Sequence, residues 1–301
     1  MIELKNQKIA IPVVLFAGLL WSFGPLVVRY MDQPELVPWQ YIFSRGLTIF
    51  CVLNLYLYFE EGKNFYKNYL KIGMSGLIGG CGLGIAMITF IYSITNTTAA
   101  VTLLCLAAMP FFTALLGFLF LKESISFNVW VAIIIATIGI IIIALGNTEK
   151  NSLLGLTFGM TSSIGFSVFS VSLRWRKETP KFTTVAVAGL FCAITASVFI
   201  LTQNSTFFST SYNGALFSLH GTIVCFGLIL YSIGSKAIPA AELTLLSLTE
   251  VIGGIFWVWL PLFGINEIPS TNTIIGGFFL FMSIIYYILT IKTNRRFIAL
   301  H

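Results

Sequence analysis

A chain of 301 residues is long enough for two soluble domains, yet 57% of it is hydrophobic and only 9% is charged, against roughly 25% in soluble proteins. With 28 Phe, 11 Tyr and 6 Trp beside 11 acidic residues, too little polar surface remains for a water-soluble globule, and disorder needs the opposite composition. One aspartate, Asp32, and two histidines, His220 and His301, nearly exclude metal clusters and paired-carboxylate catalysis, and the net charge of +6 must be located along the chain before it is read as affinity for nucleic acid.

A bilayer core about 30 Å thick needs roughly 20 apolar residues per helix, and ten stretches qualify. They cover 9–29, 38–58, 70–93, 98–121, 127–145, 153–173, 183–202, 215–234, 240–263 and 273–291. The first carries Trp21 and Arg29 and lacks a cleavage pattern, so it reads as a retained helix and not a targeting segment. Trp21 lies at mid-depth, below the interfacial aromatic belt, where it either packs or lines a cavity.

In the second stretch Arg45 lies seven residues past Pro38, roughly 10 Å into the bilayer at 1.5 Å per residue, too deep to snorkel comfortably. An intramembrane charge is a functional-site hypothesis by default; the alternative is a conformational lock on helix-end carbonyls or a carboxylate. Tyr41, one turn earlier on the same face, shares either role. Gly76, Gly80 and Gly84 recur every four residues along the third stretch and predict a tight helix crossing, either static or a surface on which parts slide. Gly155, Gly159, Ser163 and Ser167 repeat that pattern in the sixth. Pro110, near the middle of the fourth, removes a backbone donor and predicts a kink, with a hinge as the functional reading. His220 falls in the eighth stretch as a gate, a proton relay, a substrate ligand or simple packing. Glu250, about ten residues into the ninth, can carry a proton, hold a substrate amine or serve as a paired structural carboxylate.

Ten spans place both termini on one side of the membrane, and basic residues identify that side as cytoplasmic. Fourteen of the 17 Lys and Arg fall there, Arg29 and Lys150 fall on the other side, and Arg45 lies within a span. The positive charge is therefore topogenic, and no nucleic-acid partner is expected. The five cysteines, Cys51, Cys81, Cys105, Cys192 and Cys225, sit in apolar stretches without CxxC spacing and read as small packing residues.

The chain also repeats itself weakly at an offset of about 141 to 145 residues: Ala99-Ala100-Val101-Thr102-Leu103-Leu104 compares with Ala240-Ala241-Glu242-Leu243-Thr244-Leu245, each opening a stretch that ends near an acidic residue, Glu123 or Glu267. Five helices per copy is an odd number, so the copies run in opposite directions through the bilayer. The expected fold is an all-α integral membrane protein with ten transmembrane helices as two inverted five-helix repeats, residues 1–146 and 147–301. Inverted repeats favour alternating access in a carrier.

Several segments resemble the ten-helix drug/metabolite transporter superfamily with paired EamA-like domains. These are Leu19-Leu20-Trp21-Ser22-Phe23-Gly24, Phe43-Ser44-Arg45, Met109-Pro110-Phe111-Phe112-Thr113-Ala114 running to Lys122-Glu123, and Ser247-Leu248-Thr249-Glu250-Val251 running to Glu267. The resemblance covers essentially the whole chain and implies a permease of the cytoplasmic (inner) membrane. The superfamily's substrates range widely. One departure is Val251-Ile252 after Glu250, where the pattern often has a proline, which argues against an unwound ninth helix.

Enzymatic readings fail on the residues. Gly73-Met74-Ser75-Gly76 matches the GxSG of intramembrane serine proteases, but Ser75 and His220 enter from opposite sides and stand on the order of 10 Å or more apart in depth. A single Asp32 cannot build a magnesium-aspartate site, and Gly62-Lys63 is followed by Asn64 and not by the Ser or Thr of a phosphate loop. No catalysis, cofactor or metal is expected. With one basic and one acidic group buried, the expected substrate is a small zwitterion such as an amino acid, held by Arg45 and Glu250 with Trp21, Tyr41 and His220. Protons are the expected coupling ion, and the assembly is a monomer or homodimer. The alternatives are a multidrug exporter for lipophilic cations, then a channel or a membrane enzyme.

Overall fold

The computed structural model describes residues 6–97, 99–123, 125–146, 153–176, 178–265 and 270–298, which are helical with no strand among them. In lipid every backbone polar group needs an internal partner, and a long apolar sequence meets that demand most simply as a helix. In chain order the helices are α1 (Gln7–Trp21), α2 (Gly24–Tyr30), α3 (Pro38–Glu61), the short α4 (Lys67–Leu70), α5 (Gly73–Asn96), α6 (Ala99–Leu106), α7 (Met109–Leu116), α8 (Phe127–Gly146), α9 (Leu153–Trp175), α10 (Lys181–Thr202), α11 (Ser211–Gly234), α12 (Ala240–Leu246), α13 (Thr249–Trp259) and α14 (Thr271–Ile298). Their ends carry the expected local signals. The Asn6 side chain caps α1, the Thr210 hydroxyl accepts from the Asn213 amide at the start of α11, and Pro38 opens α3 where its missing N–H costs nothing. Gly62, at φ +62°, ends α3 in the left-handed region.

Eight segments are long and apolar enough to cross a membrane, and two further apolar stretches, Phe127–Ile142 and Ile274–Thr290, are shorter. The protein is thus a multi-pass membrane protein, and the helix positions follow the sequence expectation closely. Packing joins early helices to late ones: α3 lies along α10, α5 along α9, α8 along α14 and α1 along α11. At the α3–α10 crossing two glycines meet. A Cβ on Gly46 would stand 2.7 Å from the Gly189 carbonyl oxygen, and one on Gly189 would stand 2.7 Å from the Gly46 oxygen. The Gly76, Gly80 and Gly84 stripe also faces α10, against Thr184, Val187 and Phe191.

Three spans are interrupted near their middles. The first breaks at Ser22–Phe23, between α1 and α2. The fourth breaks at Ala107–Ala108, with Pro110 in the first turn of α7, so the expected kink is a two-residue interruption in which Ala108 keeps right-handed helical torsions. Hydroxyls from α9 serve the carbonyls there: Ser163 donates to the Cys105 oxygen, and Ser167 to that of Met109 at 3.2 Å. The ninth breaks at Ser247–Leu248 although no proline follows. Both residues keep right-handed helical torsions, so the span is interrupted without being unwound, as expected from Val251-Ile252. Hydroxyls serve the carbonyls there: Ser247 Oγ donates to Thr244 at 2.8 Å, and Thr249 Oγ1 lies 3.2 Å from the Leu246 carbonyl and 3.1 Å from that of Leu15 in α1.

Candidate functional site

The breaks border a small, partly open cavity of about 70 Å³. Its wall is built by α3, α5, α9 and α11 together with residues flanking the three breaks, Trp21 in the first span, Leu106 and Met109 in the fourth and Glu250 in the ninth. Trp21, Leu83, Met87, Phe90, Phe166, Val224 and Leu228 make most of the lining apolar. The polar lining is Arg45, Ser162, His220 and Glu250.

Each polar group is held differently. Arg45 is 3% exposed; its Nη2 donates to the Met87 carbonyl at 3.2 Å, and its guanidinium carbon lies 5.7 Å from the centre of the Tyr41 ring. The Ser162 hydroxyl is occupied by the Ala86 carbonyl at 2.9 Å. His220, 1% exposed, pairs through Nδ1 with the Tyr41 hydroxyl. Glu250 is 9% exposed on the first turn of α13. Among the described residues no direct ion pair joins Glu250 to Arg45, so the carboxyl and the guanidinium line one cavity without a salt bridge between them.

Of the residues singled out in the sequence, Trp21, Arg45, His220 and Glu250 converge on this wall. Tyr41 does not reach it. It lies behind Arg45 and His220, fully buried and stacked on Phe217 at 4.9 Å. The glycine stripe and Pro110 serve packing and the fourth-span break and do not line the cavity. Ser75, the serine of the GxSG sequence, shares a hydrogen bond with Thr179 at 2.5 Å, while the His220 ring is engaged by Tyr41. Glu267 lies outside the described residues.

Toward the C-terminal end of α9 the cavity is bordered by rings. Trp21 meets Phe166 at 5.5 Å and Tyr231 at 5.3 Å, Phe166 meets Tyr231 at 5.2 Å, and the Tyr231 hydroxyl is tied to Ser170 at 2.6 Å. One further turn along, Arg174 Nε donates to Glu123 at 2.6 Å and its Nη1 donates to the Ser235 and Ile238 carbonyls at 2.8 and 2.7 Å. Lys122, at φ +54°, turns the chain so that Glu123 also accepts from the Ala240 amide at 3.2 Å. This clasp ties the fourth, sixth and ninth spans together. At the opposite end two neutral contacts stand: Asn213 bonds the Asp32 backbone through both side-chain atoms at 3.0 Å, and Gln40 donates to the Thr206 carbonyl at 3.0 Å. Sequence reasoning missed the clasp because Arg174 was counted only for topology and Glu123 only as a motif end. Their positions just beyond two spans were the available signal.

The N-terminal half matches a known signature over residues 8–145, from the start of α1 to the end of α8. Residues 8–145 match the EamA-like transporter family. The drug/metabolite transporter superfamily, suggested by the resemblance in the sequence, fits this match. Two curated proteins of Helicobacter pylori, from strains J99 and 26695, both named as uncharacterized transporters, are 25% and 24% identical over 164 residues, 54% of this chain. The chain spans about half the length of these relatives, 52% of each. A solved crystal structure superposes with a TM-score of 0.72 at 16% identity, covering 95% of this chain and 99% of its own, and shares its fold. The EamA-like unit thus supplies Trp21, Arg45 and the α5 and α6–α7 walls of the cavity, while His220, Glu250 and the α9 wall come from beyond it.

Proposed function

We propose that this chain is a secondary active transporter that carries a small zwitterion of the amino-acid class across the cytoplasmic membrane by alternating access. The observation that carries the reading is the single cavity holding Arg45 and Glu250 unpaired with each other, among apolar and aromatic walls. A guanidinium suits a carboxylate, a carboxylate suits an ammonium, and the apolar remainder suits a hydrocarbon side chain. Protons are the proposed coupling ion, with Glu250 as their carrier. A polyanionic substrate would need more than one buried cation.

Ten spans in two inverted units, 1–146 and 147–301, supply the mechanism. The pairing of second with seventh and fifth with tenth spans supports this organisation, as does the reciprocal Gly46–Gly189 contact at an offset inside the 141 to 145 residue repeat. Breaks in the fourth and ninth spans at corresponding places support it further. With both termini cytoplasmic by the positive-inside rule, the Glu123–Arg174 clasp shuts the cytoplasmic mouth.

The test is thermal stabilisation of the purified protein across amino acids, other osmolytes, vitamins, nucleotides and lipophilic cations, since a ligand that binds only the folded state raises its stability. An amino-acid hit weakened roughly tenfold or more by Arg45→Ala and by Glu250→Gln is the expected result. Stabilisation confined to lipophilic cations would replace this reading with multidrug export, which the aromatic walls and single carboxylate favour as the second choice.

A further inference from the structure

Tyr41 touches both polar residues on one side of the cavity without touching the cavity itself. Its hydroxyl meets His220 Nδ1, its one hydrogen-bond partner among the described residues, and its ring lies under the Arg45 guanidinium. Both groups are buried, and a proton on Nδ1 would reverse that bond and leave the phenol proton with no acceptor. The phenol proton therefore goes to Nδ1. In a neutral imidazole, a bare Nδ1 places the ring proton on Nε2. The Nε2 edge lies against Gly24, where an added Cβ would stand only 3.1 Å away, and it has no protein hydrogen bond among the described residues. We propose that Tyr41 is a positioning residue that fixes His220 as a donor, so that Arg45 and His220 together form a donor-only subsite for a carboxylate, facing the acceptor Glu250.

The donor assignment stands apart from any substrate, whereas the choice of carboxylate rests on the zwitterion reading. Two histidines in the whole chain make the assignment directly observable, because His301→Ala leaves one. In the full-length protein labelled with ¹⁵N-histidine and held in detergent, long-range ¹H–¹⁵N spectra should show a protonated Nε2 and a bare, hydrogen-bonded Nδ1. Tyr41→Phe keeps the ring that stacks on Phe217 and should move the Nδ1 resonance to a free imine position with mixed tautomers. A proton on Nδ1 in the wild type overturns the proposal without need of any variant, and an Nδ1 signal unmoved by Tyr41→Phe overturns it equally.

Three matched probes then read the subsite: leucine, 4-methylpentanoate, which lacks its amine, and 3-methylbutylamine, which lacks its carboxylate. The two carboxylates should shift Nε2 and the amine should not. Tyr41→Phe should weaken 4-methylpentanoate roughly tenfold, about the worth of one hydrogen bond to a charged group. An Nε2 resonance that ignores 4-methylpentanoate refutes the subsite. Leucine binding no tighter than 4-methylpentanoate sinks the zwitterion reading while the subsite stands.

Discussion

Alanine at Gly46 gives the sharpest test of the packing argument. The new methyl would stand 2.7 Å from the Gly189 carbonyl oxygen, 2.8 Å from Cys192 Cβ and 3.1 Å from the Ala193 amide nitrogen, all on α10. Comfortable contacts to carbon lie near 3.5–4.0 Å, so α3 and α10 must part by roughly 1 Å over their crossing. Two of the three obstacles are backbone atoms, which no rotamer change can clear. Overpacking of this kind costs about 1–3 kcal/mol, or an apparent melting temperature lower by several degrees in a chain of this size. Gly189→Ala meets the Gly46 oxygen at 2.7 Å and the Phe50 amide at 3.0 Å and should cost a similar amount. The double variant should cost less than the two together, because the first methyl has already opened the crossing. Gly214→Ala in α11, with nothing within 4 Å of the added carbon, is the control, and its helix propensity should leave it unchanged or more stable. The assay is monodispersity in detergent after heating to graded temperatures. Gly46→Ala as stable as Gly214→Ala would refute the reasoning.

Ser163→Ala removes the hydroxyl that serves the Cys105 carbonyl at the fourth-span break, and a buried acceptor so stranded costs about 1–3 kcal/mol, read in the same heating assay. Pro110→Ala returns a donor to the first turn of α7 and should slow uptake in proteoliposomes; a wild-type rate would reduce Pro110 to packing. Glu123→Gln should loosen the clasp by about 1 kcal/mol, raising roughly fivefold the reactivity of a cysteine placed at Ser170 toward a membrane-impermeant maleimide added from the Arg174 side. Unchanged labelling would mean that the rings around Tyr231 close that end alone.

Hydropathy located the spans to within a few residues because the bilayer sets their length, and Arg45 and Glu250 stood out because a charge at that depth is rare. The interruptions were harder to read. Pro110 announces one, but at Ser247–Leu248 the carbonyls are served by the hydroxyls of Ser247 and Thr249, on Thr244 and Leu246. The break at Ser22–Phe23 has a similar pattern, since Ser22 donates to Leu19 and accepts from Trp257 of α13 at 2.7 Å. Serine and threonine are common in membrane helices, so their presence alone does not separate a structural break from an ordinary turn. The part of the site carried by Tyr41 was hidden for another reason. Spacing placed it on the Arg45 face of α3, but which of two neighbours on one face reaches the cavity depends on α11, which brings His220 onto the Tyr41 hydroxyl.

The reciprocal glycine contact has a mechanical consequence for the cation next to it. If two like halves rock against each other, displacement grows with distance from the pivot and vanishes on it. The reciprocal glycine crossing of α3 and α10 lies at Gly46, the residue immediately after Arg45. The guanidinium then rides close to the fulcrum while the break-flanking residues Leu106, Met109 and Glu250 ride on the moving arms. A substrate held by its carboxylate would stay nearly still as the barrier passed from one side of it to the other.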